Sequence, residues 1–200
     1  MTLTSGHAKN LQKPKGKLGV VIPGLGAVAT TFIAGVETIR KGYQPPIGSM
    51  TQMGHIRLGK RTDNRQPLVK DFIPLADIND MVFGGWDIFT DNAYESAKNC
   101  GVLPDTILEP IATYLKSIKP MKAVFSKDYV KKIDGPNVKT GKNKMDLAEQ
   151  LMKDMEDFKK TNNCDRLVMI WCASTEVYTE PTATHSSVKK FEEGLRNNDP

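Results

Sequence analysis

Gly24-Leu25-Gly26-Ala27-Val28-Ala29 follows the apolar run Val20-Val21-Ile22 after Pro23 and has the spacing G-x-G-x-x-G/A. In a strand-to-helix turn each small residue has a physical task. Gly24 permits the tight turn, Gly26 lets the backbone approach a pyrophosphate, and Ala29 lets helix and strand pack closely. Free amides at the start of the following helix would face the negative charge. Glycine-rich turns of this type also occur without a nucleotide. One partner of the pattern is missing from its usual place. About 20 residues after the first glycine an Asp or Glu is expected for the ribose hydroxyls. That window here holds Gly42, Tyr43, Gln44 and Pro45, with Glu37 too early and Asp63 late. Two further stretches suit a cofactor edge. Gly85-Trp86-Asp87-Ile88 ends an apolar run with a flat ring and a carboxylate; Asp87 could accept from a ribose hydroxyl or serve a turn. Cys172-Ala173-Ser174-Thr175 ends another such run with small and hydroxyl-bearing residues, which could equally cap a turn.

Other chemistries find little support. His7, His55 and His185 show neither metal-ligand nor triad spacing, and Cys100, Cys164 and Cys172 contain no C-x-x-C pair. We therefore expect no metal site and no disulfide framework. With 28 Lys and Arg against 23 Asp and Glu the net charge is +5, but the basic residues are scattered among acidic ones. A solvated surface explains them better than nucleic-acid binding. No run of about 18 apolar residues exists to span a bilayer. The polar, basic start has no signal-type apolar core, so a cytoplasmic protein without membrane association is expected.

Positioning such residues requires strands that end where the motifs begin. The apolar stretch 17–22 reads as a strand, 27–41 as a helix with Phe32, Val36 and Ile39 on one face, and 81–83 as a second strand. Between them, 43–67 is rich in Pro and Gly, and 72–75 is a further apolar run. A short helix is expected over 93–100 with Asp91 as N-cap and Gly101 as stop. Another is expected over 105–119, interrupted or started by Pro110. A strand over 121–125 and a helix over 143–160 follow, the latter with Leu147, Leu151, Met155 and Phe158 lining one face and its Met residues read as core filler. A buried strand over 166–173 and a last helix over 187–196 complete the pattern. Alternating strands and helices predict an α/β fold with a mostly parallel sheet, and ligands in such sheets sit beyond the carboxyl ends of the strands. Residues 1–16 read as a basic lead-in and 17–200 as one nucleotide-binding domain.

Four motifs in fixed order carry a resemblance: the glycine loop, Gly48-Ser49-Met50-Thr51-Gln52, Gly85-Trp86-Asp87-Ile88 with Asn92 following, and Trp171-Cys172-Ala173-Ser174-Thr175-Glu176. Together they resemble the inositol-3-phosphate synthase (myo-inositol-1-phosphate synthase) family, from about Leu18 onward. The resemblance implies a Rossmann-like sheet with helices on both faces, incomplete at the C-terminal end of this sequence. It implies an NAD-dependent isomerase that converts glucose 6-phosphate to myo-inositol 3-phosphate by oxidation, intramolecular aldol cyclisation and reduction, within a homo-oligomer (a tetramer in the family). It places Gly24, Leu25, Gly26, Ala27, Val28 and Ala29 at the pyrophosphate, Asp87 and Ile88 near the adenosine, and Cys172, Ala173, Ser174 and Thr175 beside the cofactor. The family's eukaryotic pattern in the last motif is W-T-A-N-T-E-R-Y, so Cys172, Ser174 and Val177 depart from it, and a cofactor-contacting serine falls near Ala123. The family's catalytic lysines and tetramer-forming domain come after the matched region, so lysines here such as Lys119 and Lys139 are not catalytic candidates. Two other readings remain: another NAD(P)-dependent oxidoreductase sharing the fold, and a nucleotide-binding module without turnover of its own.

Overall fold

The computed structural model describes residues 14–199. The lead-in expected over 1–16 thus falls, up to residue 13, outside the described residues, as does His7. Four parallel strands form one sheet in the order β3-β2-β1-β4: β1 is Lys17–Pro23, β2 Met81–Asp87, β3 Met121–Lys122 and β4 Cys164–Met169. The first three strands step outward in one direction and β4 returns to the other side of β1. This is the first half of the doubly wound, Rossmann-like order, and the reversal beside β1 opens a crevice at the carboxyl ends of β1 and β4.

Side-chain alternation along the strands divides the interior into two unequal layers. Val20 and Ile22 of β1 and Phe83 of β2 face α1 (Ala27–Arg40), α2 (Ala93–Cys100) and α3 (Ala112–Ser117). There Ala29, Ile33, Ala34, Leu108, Ile111 and Leu115 close the main core. The other face carries α4 (Lys144–Thr161). It comes close because Gly19 and Gly84 have no side chain: a Cβ on Gly84 would lie 2.4 Å from the Phe158 ring, and one on Gly19 3.0 Å from it. Phe158 therefore sits on a floor of two strand glycines. A last helix, α5 (Val188–Asn197), packs against α4.

Several local expectations shift. The N-cap of α2 is Asn92, not Asp91: its side chain accepts from the amides of Tyr94 and Glu95, and Glu95 accepts from the Asn92 amide, a reciprocal box that Asp91 is one residue too early to form. Gly101 ends the helix at φ +64° as expected. The helix expected over 105–119 is broken at Pro110, which lacks the amide a continuous helix needs. Asp105–Leu108 is one turn, Glu109–Ile111 a 3-10 turn, and α3 follows. The strand expected over 121–125 is only β3, continued by a lone bridge from Ala123 to Val138. The run 72–75 ends a one-turn helix, Val69–Phe72, and is largely exposed. The buried strand expected over 166–173 is β4, which starts earlier and ends at Met169. It pairs only with β1 and leaves Val168 and Met169 exposed, since among the described residues nothing covers its outer edge.

Candidate functional site

The turn after β1 is built by hydrogen bonds from β2. The Gly24 amide donates to the Trp86 carbonyl (2.9 Å) and the Leu25 amide to Asp87 Oδ2 (2.7 Å). Gly24 stands at φ +84°, the left-handed region that glycine enters without strain. A Cβ there would also lie 2.9 Å from the Ala173 amide nitrogen, so the loop after β4 presses directly on it. That loop is tied back by the Cys172 amide, which donates to the Pro23 carbonyl (3.1 Å). The glycine loop and the 172–175 segment thus meet at the point where the strand order reverses. Gly26 precedes α1 without a side-chain cap, has open space where a Cβ would be, and is followed by a first turn without acidic residues. These features fit an anionic group held by backbone amides.

Asp87 places a carboxylate at the end of β2. In dinucleotide folds the ribose-binding carboxylate ends the second strand. Here about 40 residues separate α1 from β2, so a carboxylate at the end of β2 lies far beyond the usual spacing from the glycine loop. Its Oδ2 is engaged by Leu25 and its Oδ1 accepts from the Phe89 amide (3.1 Å), which fixes the carboxylate at the cleft edge. A carboxylate has lone pairs beyond these two bonds. Ile88 beside it is buried.

One cleft of about 1140 Å³ gathers nearly all the candidates: Gly24, Leu25, Gly26, Ala27, Val28, Asp87, Ile88, Cys172, Ala173, Ser174 and Thr175 line it. Ala29 does not. It is buried in the main core beneath the loop, where a larger side chain would hold α1 off β1. Burial pushes the Cys172 thiol above its ordinary range. Ala123 lines the cleft and offers no hydroxyl there.

Other lining residues carried no motif. Leu147 and Leu151, read from the sequence as lining one helix face, form an apolar wall of the cleft together with Ala148. Their spacing on one helix face was the available signal, but it does not distinguish core from cleft. Lys144 is the single Lys or Arg side chain lining the cleft among the described residues. Its Nζ donates to Tyr129 Oη (3.0 Å) and to the Asp199 carbonyl. His185 lies at the outer wall, exposed, with Nδ1 accepting from the Thr182 amide (3.0 Å); His55 stands apart in the segment between α1 and β2. No helix among the described residues is long and apolar enough to cross a membrane.

Comparison with known proteins follows the same lines. Residues 18–200 match the NAD-binding family model of myo-inositol-1-phosphate synthase. The chain is 42% identical over 191 residues to inositol-3-phosphate synthase 1 of Bacteroides thetaiotaomicron, covering 95% of this chain and 44% of that protein. It is 32% identical over 179 residues to inositol-3-phosphate synthase of Dictyostelium discoideum, covering 82% and 35%. The crystal structure of inositol-3-phosphate synthase from Caenorhabditis elegans superposes with a TM-score of 0.81 at 24% identity, over 94% of this chain and 40% of that one, a likeness of fold. The chain therefore spans less than half the length of these relatives.

Proposed function

The chain belongs to the myo-inositol-1-phosphate synthase family, and from that premise we propose that it supplies the NAD site of an isomerase converting glucose 6-phosphate to myo-inositol 3-phosphate within a homo-oligomer. The observation that carries this reading is the meeting of the glycine loop, Asp87 and residues 172–175 around one cleft at the switch point of the sheet. Residues 17–200 act as the nucleotide-binding domain, and the lysine chemistry of cyclisation belongs to the family's portion beyond the matched region.

The residues present fit NAD. The amides at the start of α1 and Gly26 would receive the pyrophosphate, with Leu25, Ala27 and Val28 flanking it. Asp87 would accept from a ribose hydroxyl, with Ile88 as its apolar neighbour at the adenosine end. A fixed carboxylate there would also repel the 2′-phosphate of NADP. Cys172, Ala173, Ser174 and Thr175 would line the cofactor, the hydroxyls of Ser174 and Thr175 supplying polar contacts. When bound, NAD supplies oxidation of the sugar carbon and returns the hydride later, so the cofactor ends unchanged. For that re-use the protein must retain the cofactor and exclude water. Leu147, Leu151 and Trp86 give the cleft apolar walls suited to both.

The test uses the full natural protein with glucose 6-phosphate and NAD, followed by phosphorus NMR. Inositol 3-phosphate without accumulating NADH is the expected result. Net NADH release would instead identify another oxidoreductase, and NAD binding without product would leave a nucleotide-binding module.

A further inference from the structure

Behind the cleft lies a polar cluster that the nucleotide-binding motifs do not account for. Asp154 of α4 accepts at Oδ2 from the Trp86 indole Nε1 (2.7 Å), and the same oxygen is paired with Lys139 Nζ (2.8 Å). The side chain of Lys139 is 10% exposed and that of Asp154 22%. Removing two such charges from water costs about as much as their attraction returns, so a pair in this position is weak evidence for stability. Its location suggests another use.

Trp86 is the hinge between the cluster and the glycine loop. Its side chain points to the α4 face, two residues along from Gly84, just as Asp154 lies one helical turn from Phe158. Its carbonyl receives the Gly24 amide, and the next residue, Asp87, holds the Leu25 amide. The segment bearing Lys139 grips the same strand end through its backbone. The Lys139 amide donates to the Ala123 carbonyl (2.8 Å) and the Asn137 amide to the Ile88 carbonyl (2.9 Å). Asn137 Nδ2 donates to the Asp87 carbonyl (2.9 Å). A shift of the β2 end on loss of the indole's anchor would move both the carbonyl that anchors Gly24 and the carboxylate that anchors Leu25.

We propose that Lys139 and Asp154 are positioning residues of the nucleotide site, fixing the Trp86 indole and, through Trp86 and Asp87, the loop that receives a pyrophosphate. This rests on the NAD reading above. Neither residue touches the cofactor. The loop acts through backbone amides, whose aim is set by the peptide planes, so a small turn at residue 86 is felt by a phosphate group more than by an adenine ring.

The experiment measures binding of NAD, ADP-ribose and adenosine to the full chain by calorimetry, alongside thermal unfolding. Asp154→Leu, which removes the acceptor and strands Lys139, is expected to weaken NAD and ADP-ribose about tenfold and adenosine less than threefold. Asp154→Asn keeps an oxygen for the indole and should recover most of that loss. Lys139→Met should fall between the two. Leu115→Ala, a cavity in the core of the opposite face, serves as the stability control and should leave all three affinities unchanged. Equal losses for all three ligands, or no loss in Asp154→Leu, would overturn the positioning role. Failure of the parent chain to bind NAD would instead bring down the functional reading itself.

Discussion

At the scale of single residues, the chemistry of the cleft depends on atoms that are absent as much as on those present. Gly24 is the clearest case, since its left-handed φ and the Ala173 backbone both exclude a side chain. Gly24→Ala should cost about 1–3 kcal/mol of stability in thermal unfolding. It should also weaken NAD in titration calorimetry, because the strain is relieved only by moving the loop off its anchors. Cys172 makes a second prediction. Burial raises its thiol pKa, so the thiolate that reacts with alkylating agents is scarcer than for an ordinary cysteine at neutral pH. Iodoacetamide labelling followed by mass spectrometry should modify exposed Cys100 first. Cys172 should react more slowly at neutral pH and speed up as the pH rises, and saturating NAD should slow it further. Asp87 shows what residue types alone could convey: a carboxylate after an apolar run was legible, whereas its grip on the Leu25 amide was not, since those residues are 62 apart in sequence.

Among elements, α4 determines the shape of the site. Its inner face was legible as an amphipathic helix, yet its partner was not. The contact is made by Phe158 on Gly19 and Gly84, and a glycine in a strand pattern does not announce which ring will cover it. Gly84→Ala should therefore destabilise the protein by about 1–3 kcal/mol through overpacking, measured by denaturant unfolding. Pairing it with Phe158→Leu should return part of that loss, because the smaller side chain vacates the space. The same helix sets Asp154 over Trp86, so a shift of α4 is read out at the glycine loop. The N-cap of α2 illustrates a finer limit. Asp91 and Asn92 are both good caps by type, and only the reciprocal bond with Glu95 distinguishes them.

For the whole molecule, the sheet is asymmetric among the described residues: three helices cover one face and α4 the other, while the edge strand β4 leaves Val168 and Met169 in solvent. An exposed apolar edge strand invites pairing with other chains. Val168→Lys should reduce concentration-dependent light scattering of this chain. It should move its unfolding free energy by no more than about 0.5 kcal/mol, since the position is already exposed. Sequence alone determined the alternation of strands and helices, the glycine loop after β1, the family, and the stretches that line one cleft. Each of these is written in local periodicity or in short motifs whose geometry is set by neighbouring residues. The tertiary structure alone decided that β4 is an edge among the described residues. It alone decided that Leu147 and Leu151 wall a cleft, and that Asp87 at the end of β2 reaches the glycine loop despite its distance along the chain. Those outcomes depend on which elements become neighbours across the sheet. Burial and hydrogen bonding are properties of such pairs, and no single segment carries them.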